Sequence, residues 1–279
     1  MRKLGLIAGG GALPATLARH CASIGREIFI LRLTGFADPS LGDLAGADVG
    51  LAQVGKGIRL LRQTGCTAVC FAGAVSRPNF RALKPDLRGL AALPGAIIAA
   101  GRGDDALLTF MVGEFEKEGF VVEGAHDVMG GLTLGPDLIT RRRPSSNDMA
   151  DATRALEVAR VMGRLDVGQG AVCCQGLILA VEAQEGTDAM LRRVATLPSA
   201  VRGSPRTRRG VLAKASKPGQ ELRIDLPTIG PETVRNAAAA GLAGIVGEDG
   251  LVIVVDREET VAIADALGLF LIGLPAQAG

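Results

Sequence analysis

The chain has 279 residues, of which 48% are hydrophobic and 22% charged, and its formal net charge is +2. This length suits one large domain or two ordinary ones, and a Gly-rich, aliphatic composition favours an α/β protein. The balanced charge and the absence of Trp and Tyr argue against nucleic-acid binding, which needs a basic surface or stacking aromatics. No apolar run approaches the roughly 18 residues that span a bilayer, so the sequence predicts a soluble, cytoplasmic protein.

The first half of the chain alternates between strand and helix patterns. Strands are predicted at residues 3–8, 27–33, 47–54 and 67–72. Helices are predicted at residues 13–24, from the end of the third strand to about residue 63, and at residues 104–118. Such alternation predicts βαβ units and a mainly parallel sheet. Residues 1–132 are therefore predicted to form an N-terminal Rossmann-like domain.

A stretch rich in Gly, Pro, Arg and Ser, residues 133–147, is predicted to be a linker before a second domain at 148–279. This C-terminal domain is predicted to be α/β with a mixed sheet. Ser145 or Ser146 should cap its first helix, Pro231 should begin another, and Asp256 should cap the last. Strands are predicted at residues 171–174, 177–183, 211–214, 222–226, 244–246 and 251–255, with Asp249-Gly250 forming a hairpin turn between the last two.

The Gly-rich turn GLIAGGGALP is the first candidate site, because backbone N–H groups of Gly10 and Gly11 would face a phosphate at a helix N-terminus. Pro14 and Arg32 depart from the dinucleotide fingerprint, although Arg32 suits a 2′-phosphate. An NADP-linked oxidoreductase and a purely structural turn are both alternatives here.

The segment GRGDDALL places Asp104 and Asp105 at the start of a predicted helix. One of them is expected to cap that helix and to favour its dipole. The other is a candidate to contact a substrate hydroxyl or a metal-bound water.

Two acid-rich segments follow in the second half. LILAVEAQEGTDAMLRR carries Glu182 near the end of a strand, with Glu185, the predicted cap Thr187 and Asp188 in the turn to a helix. KASKPGQELRIDLPTIG carries a predicted strand in which alternation puts Glu221, Arg223 and Asp225 on one face. If the two strands are neighbours, these carboxylates converge with Lys214, Lys217 and Arg223.

Carboxylates without His or thiol ligands suit Mg²⁺ or Mn²⁺, and nearby cations suit a phosphoryl-transfer site. A structural salt-bridge network is the alternative. The basic runs Arg141–Arg143 and Arg202–Gly210 are either solvated loops or contacts with an anionic membrane, as in a non-catalytic lipid-binding protein. The five cysteines show no CxxC spacing and are expected to be reduced, buried thiols.

Several motifs together resemble the LpxI-type UDP-2,3-diacylglucosamine pyrophosphatases over essentially the whole chain. They are GLIAGGGALP, the GDD ending at Asp105, LAVEAQEGTDAMLRR, KPGQELRIDLPTIGPETV and the closing AGLAGIVGEDGLVIVVDREETVAIADALGLFLIG. The resemblance implies a Rossmann-like domain, a second domain of unusual fold, and a homodimer. It implies Mg²⁺-dependent hydrolysis of UDP-2,3-diacylglucosamine to UMP and 2,3-diacylglucosamine 1-phosphate (lipid X) in lipid A biosynthesis, with peripheral contact to the inner membrane as an option.

The family's essential aspartate corresponds to Asp225, which would ligate the metal or orient the attacking water. Glu182, Glu185 and Asp188 would complete the metal shell, while Lys214, Lys217 and Arg223 would stabilise the diphosphate. Glu221 departs from the Asp that is more common in the family, so its role stays open. The substrate-binding residues are predicted to be Gly10, Gly11, Asp104, Asp105, Thr187, Lys217, Gln220 and Thr228.

Overall fold

The computed structural model describes residues 1–76, 79–217 and 219–275, except for the side chains of Arg81 and Asp104. The chain forms two compact units. The first contains residues 1–130 and 221–225, and the second contains residues 131–220 and 226–279. No helix in the described ranges is long and apolar enough to cross a membrane.

The first unit is built on a parallel five-stranded sheet with the order β3-β2-β1-β4-β5. Its strands are β1 (Leu4–Ala8), β2 (Ile28–Leu33), β3 (Gly46–Val49), β4 (Ala68–Ala72) and β5 (Val121–Val122). Its helices are α1 (Leu13–Ser23), α2 (Val54–Gln63), α3 (Leu87–Ala100), α4 (Asp104–Glu116) and the short α5 (Ala125–Val128). Single 3₁₀ turns lie at Pro39–Leu41 and Phe80–Ala82. The predicted parallel sheet is confirmed.

Helix α3 was not predicted, because residues 89–101 contain no charged or polar side chain that would produce an amphipathic pattern. Asp86 defines its start by accepting a hydrogen bond from the Gly89 N–H at 2.7 Å. The same carboxylate accepts from the N–H groups of Gly55 (3.3 Å) and Lys56 (2.7 Å) in the first turn of α2. Burial raises the pKa of Asp86, but the three backbone donors outweigh it and hold that pKa below its ordinary value.

The second unit has a mixed five-stranded sheet with the order β12-β10-β8-β6-β7, which confirms the predicted mixed sheet. Its strands are β6 (Gly170–Cys174), β7 (Leu177–Val181), β8 (Val211–Lys214), β10 (Gly244–Glu248) and β12 (Phe270–Leu274). A separate parallel pair joins β9 (Thr228–Ile229) to β11 (Ile253–Val254). The helices are α6 (Ser146–Arg164), α7 (Gly186–Ala195), α8 (Pro231–Ala239) and α9 (Arg257–Leu267).

Alternation along β8 explains the layers of this unit. Val211 and Ala213 face one core with α6, while Leu212 faces the other core with α7, α8 and α9. Ser145 caps α6 in a reciprocal pair with Asp148, and Pro231 begins α8, as predicted.

Three local predictions differ from the structure. Residues 222–226 do not form the predicted strand. Residues 222–224 form a turn, in which the N–H groups of Ile224 and Asp225 both donate to the Glu221 carbonyl. The stretches around residues 244–246 and 251–255 do not pair as a hairpin, since β10 pairs with β8 and β12, and β11 pairs with β9. Residues 133–147, predicted as a linker, lie within the second unit, where Leu134 is fully buried.

Candidate active site

A buried lysine at the end of a central strand is the main feature of the second unit. Lys214 ends β8, and its ammonium group donates to the Thr187 hydroxyl at 2.6 Å. Thr187 in turn donates to Glu182 Oε1 at 2.8 Å, and Lys214 Nζ lies 3.4 Å from Glu182 Oε2. The structure therefore brings together three of the predicted site residues in one chain of hydrogen bonds. Thr187 is the second residue of α7 rather than its cap, which is Glu185.

Two glycines make room for Glu182: Gly170, which begins β6, and Gly168 just before it. The Glu182 N–H donates to the Gly170 carbonyl at 2.8 Å, just after β7 ends. A side chain on Gly170 would collide with Glu182 Oε2, and one on Gly168 would collide with the Glu182 carbonyl. Sequence reasoning missed both glycines, although a Gly in a strand often marks a close approach of another group.

Two carboxylates of the predicted site have a buried oxygen without a hydrogen-bond partner, although one of these oxygens is in ion-pair contact with Lys214. They are Glu182 Oε2 and Asp188 Oδ1, and Asp188 lies in the first turn of α7. Glu185 is different, because its exposed carboxylate accepts from Arg193 at 2.9 Å. A hydrogen bond from its own backbone N–H, followed by the one from Arg193, holds the pKa of Glu185 below its ordinary value.

Buried acceptors of this kind are expensive without a partner, and a hard cation or a hydrogen-bonded water satisfies them. Within the described part of the chain, no three Asp, Glu, His or Cys side chains come together to hold a metal ion. Mg²⁺ is usually held by only one or two carboxylates together with substrate phosphates. Glu182 and Asp188 are carboxylates of the type that such a site uses.

The other predicted residues of the second unit lie in two further places. Lys217 forms an ion pair with Asp166 at 2.7 Å, a partner that the sequence did not indicate. The backbone N–H of Lys217 donates to Gln220 Oε1 at 2.7 Å, so Gln220 closes a local turn. Thr228 begins β9, and its hydroxyl donates to the Leu226 carbonyl at 3.1 Å.

In the first unit, Arg223 is held by two carboxylates. Glu221 binds it through both oxygens at 2.7 Å, and Glu116 accepts from it at 2.7 Å. The hydrogen bonds from Arg223 hold the pKa of Glu221 below its ordinary value. Asp105 Oδ1 accepts from the Glu221 N–H at 2.8 Å, and Asp225 ends the turn that Glu221 begins. The Asp104 side chain lies outside the described residues.

The Gly-rich turn after β1 is tied to the end of β4. The Gly9 N–H donates to the Ala72 carbonyl at 2.8 Å, and Gly10 and Ala74 exchange backbone hydrogen bonds at 2.8 and 2.9 Å. Gly11 has a φ of 85°, a conformation that favours glycine. The Gly10 N–H is therefore engaged within the protein, which weakens the interpretation of this turn as a phosphate-binding loop.

Arg32 and three arginines of the second basic run, which suggested other functions, form hydrogen bonds within the fold. Arg32 donates to Asp48 at 2.7 Å and to the carbonyls of Leu41 and Leu44 at 3.2 Å. In the second basic run, Arg202, Arg208 and Arg209 each donate to backbone carbonyls. Arg208 binds those of Ala238 and Leu242 at the end of α8, where cations are favoured.

Comparison with known proteins connects these features to one family. Residues 3–132 match the LpxI N-terminal domain, and residues 135–272 match the LpxI C-terminal domain. The chain is 62% identical over 277 residues, covering 99% of each sequence, to the UDP-2,3-diacylglucosamine pyrophosphatase LpxI of Caulobacter vibrioides.

Solved structures give only distant likenesses. CobK precorrin-6A reductase is 15% identical, with a TM-score of 0.34 over 100% of this chain and 90% of that one. An N5-carboxyaminoimidazole synthase from Aspergillus clavatus is 13% identical, with a TM-score of 0.25 over 66% of this chain and 41% of that one. Neither likeness carries an argument, whereas the domain matches and the full-length identity agree with each other. The chain belongs to the LpxI family.

Proposed function

We propose that this protein hydrolyses the pyrophosphate bond of UDP-2,3-diacylglucosamine, giving UMP and 2,3-diacylglucosamine 1-phosphate. The observation that carries the proposal is the 62% identity to the Caulobacter pyrophosphatase over 99% of both chains. The buried Lys214–Thr187–Glu182 chain adds a chemical reason, because a lysine at the end of a strand provides a fixed positive charge for a diphosphate.

The proposed cofactor is Mg²⁺, with Mn²⁺ as an alternative. Glu182 and Asp188 would each offer the ion a carboxylate oxygen that lacks a protein hydrogen bond. The role of Asp225 stays a prediction that the family resemblance implies. When bound, the ion would neutralise charge on the diphosphate oxygens. Glu185 is a weaker candidate ligand, because Arg193 already occupies its carboxylate.

The residues of the chain have separate roles in this proposal. Asp225 orients a water for attack on the sugar-side phosphorus, and the bond from that phosphorus to the bridging oxygen breaks. UMP leaves with the bridging oxygen, and the new oxygen remains on the lipid phosphate. Lys214 stabilises the charge of the diphosphate as it is redistributed, while Thr187 and Glu182 fix the position of the ammonium group.

Arg223 stays a predicted catalytic residue, but a phosphate would have to displace Glu116 or Glu221 from its guanidinium. Lys217 would likewise have to leave Asp166. We therefore assign the main electrostatic role to Lys214. The homodimer and the contact with an anionic membrane stay predictions.

The test measures UMP release from UDP-2,3-diacylglucosamine by the wild type, by Asp225→Ala and by Asp43→Ala, an exposed acid that serves as the matched control. We expect release that needs Mg²⁺, is lost in EDTA, is nearly abolished in Asp225→Ala and is unchanged in Asp43→Ala. In H₂¹⁸O the label should enter the lipid phosphate and not UMP. Absence of UMP release by the folded wild type would overturn the proposal, and NADPH binding would then be tested.

A further inference from the structure

The backbone between two cations of the predicted site is anchored by a glutamate that the proposed chemistry does not use. Lys214 is the last residue of β8, and Lys217 follows three positions later. Between them, Ser216 donates twice to one oxygen of Glu248, from its backbone N–H and from its hydroxyl, both at 2.9 Å. Glu248 therefore fixes the direction in which the chain leaves β8.

The position of Glu248 in the sheet explains why its side chain reaches this segment. Glu248 is the last residue of β10, which runs parallel to β8, and its neighbour Gly247 is paired with Lys214. The two strands therefore end side by side. The Glu248 carbonyl accepts from the Leu251 N–H at 3.0 Å, and the side chain of Glu248 supplies the acceptor for Ser216.

A buried arginine holds the other oxygen of the same carboxylate. Arg160 of α6 donates through Nε to Glu248 Oε1 at 2.8 Å. The two side chains are only 16% and 7% exposed, so each charge has lost most of its hydration and depends on the other. Charge-assisted hydrogen bonds of this kind are short and directional. The Arg160–Glu248 pair is therefore a fixed support for Ser216.

The same face of α6 extends this support to Lys217. Gly163 lies one turn after Arg160, and a side chain on it would come within 3.5 Å of the Lys217 Cα. Asp166, just beyond the helix, accepts from Lys217 Nζ at 2.7 Å. The end of α6 therefore contacts the segment after β8 at both Ser216 and Lys217.

We propose that Glu248, oriented by Arg160, is a positioning residue for the hydrolysis reaction. This role rests on the proposed function, in which Lys214 stabilises the diphosphate. By holding Ser216, Glu248 fixes the end of β8 and thus the backbone from which Lys214 projects. A displacement of about 1 Å, caused by a mutation away from the chemistry, costs up to about a hundredfold in rate. Glu248 thereby affects kcat by acting through Lys214.

The experiment compares the wild type with Glu248→Ala, Ser216→Ala and Glu258→Ala, the last being an exposed glutamate that serves as the matched control. Ser216→Ala removes only the hydroxyl hydrogen bond, whereas Glu248→Ala removes both bonds to Ser216. A double variant, Glu248→Gln with Arg160→Met, keeps an acceptor oxygen for Ser216 and removes both charges. Hydrogen exchange of peptides covering residues 215–220 is measured together with the kinetics of UMP release, at a temperature where circular dichroism shows each variant folded.

We expect Glu248→Ala to show faster hydrogen exchange at residues 215–220 and a kcat lower by about a hundredfold, with KM changed less than about threefold. Ser216→Ala should lose about tenfold in kcat, because it keeps one of the two hydrogen bonds. The double variant should recover most of the kcat, since the hydrogen bonds to Ser216 position the segment. Glu258→Ala should match the wild type.

A purely structural role of Glu248 predicts a different result, namely a lower melting temperature with the wild-type kcat in the folded protein. That result in Glu248→Ala would overturn the positioning role and leave the hydrolase standing. A double variant that protects residues 215–220 like the wild type but is as inactive as Glu248→Ala would also overturn it. Absence of UMP release by the folded wild type would overturn the proposed function and the positioning role with it.

Discussion

Replacing Lys214 and Glu182 singly and together separates a structural ion pair from a catalytic one. Lys214→Met keeps an unbranched apolar stem of similar length. Glu182→Gln keeps the shape of the side chain and an oxygen that accepts from Thr187. The double variant removes both charges and leaves neither side chain charged and unpartnered.

The expected magnitudes follow from burial. The Lys214 side chain is 4% exposed and that of Glu182 is 10% exposed. Breaking a buried pair from one side leaves an uncompensated charge and costs about 3–5 kcal/mol of unfolding free energy. Removing both charges is often close to neutral, so the double variant should recover most of the loss. Activity should behave differently, and Lys214→Met should be nearly inactive with or without Glu182→Gln.

Far-UV circular dichroism in urea gives the free energies of unfolding, because the chain has no Trp or Tyr for intrinsic fluorescence. Hydrogen exchange of peptides from β8 and α7 reports the second unit separately from the first. UMP release is measured on the same preparations.

A double variant that is stable and still releases UMP at the wild-type rate would refute the catalytic role. The Lys214–Thr187–Glu182 chain would then be the structural network that the sequence left as an alternative. Stability losses that simply add in the double variant would refute the account of a coupled buried pair.

Three further outcomes are expected. Asp86→Asn should lower the unfolding free energy at pH 7 by about 1 kcal/mol. The pKa of Asp86 is lower in the folded state than in the unfolded state. The stabilisation from Asp86 is therefore present above its unfolded-state pKa and is lost as the pH falls through its folded-state pKa. Asp86→Asn should accordingly lose less stability than the wild type in acid. Arg208→Met should lower the melting temperature because two carbonyls lose their donor, whereas Arg206→Met, at an exposed position, should not, and equal losses would contradict this assignment. Burial, followed by the nearby Asp151 carboxylate, raises the pKa of the Cys173 thiol to about 12, and all five cysteines are buried. N-ethylmaleimide at pH 8 should therefore label the protein only in urea. Rapid labelling of the native protein would contradict this.

The regular elements were predictable wherever one periodicity dominated the sequence. Strand β8 was predicted with its observed ends, Val211 and Lys214, because a short apolar run lies between turn residues. Helix α3 was missed, since an all-apolar run gives no helical period that would distinguish it from a buried strand. The helix starts after Asp86, whose carboxylate accepts hydrogen bonds from the backbone of α3 and also from that of α2. The contact with α2 is not visible in the sequence.

The site was predictable in its residue types but not in its local geometry. Alternating apolar and charged residues at 221–226 have the period of a strand, yet two backbone hydrogen bonds to the Glu221 carbonyl close them into a turn. The bidentate pairing of Glu221 with Arg223 at i, i+2 fits that turn. Such pairing depends on backbone curvature, which a residue pattern does not contain.

The pairing of Lys214 with Glu182 also could not be obtained from spacing, because 32 positions separate them and a third residue, Thr187, connects them. A buried ion pair adds little net stability compared with apolar residues of similar volume, because both charges lose their hydration. The other residues of β8 are apolar, and Leu212 and Ala213 are fully buried beside the lysine. The charge is therefore not required to fill this part of the core, and Asp188 Oδ1 is a buried acceptor without a hydrogen-bond partner among the described residues. Both facts favour a site built to bind a charged substrate over one built to hold the domain together.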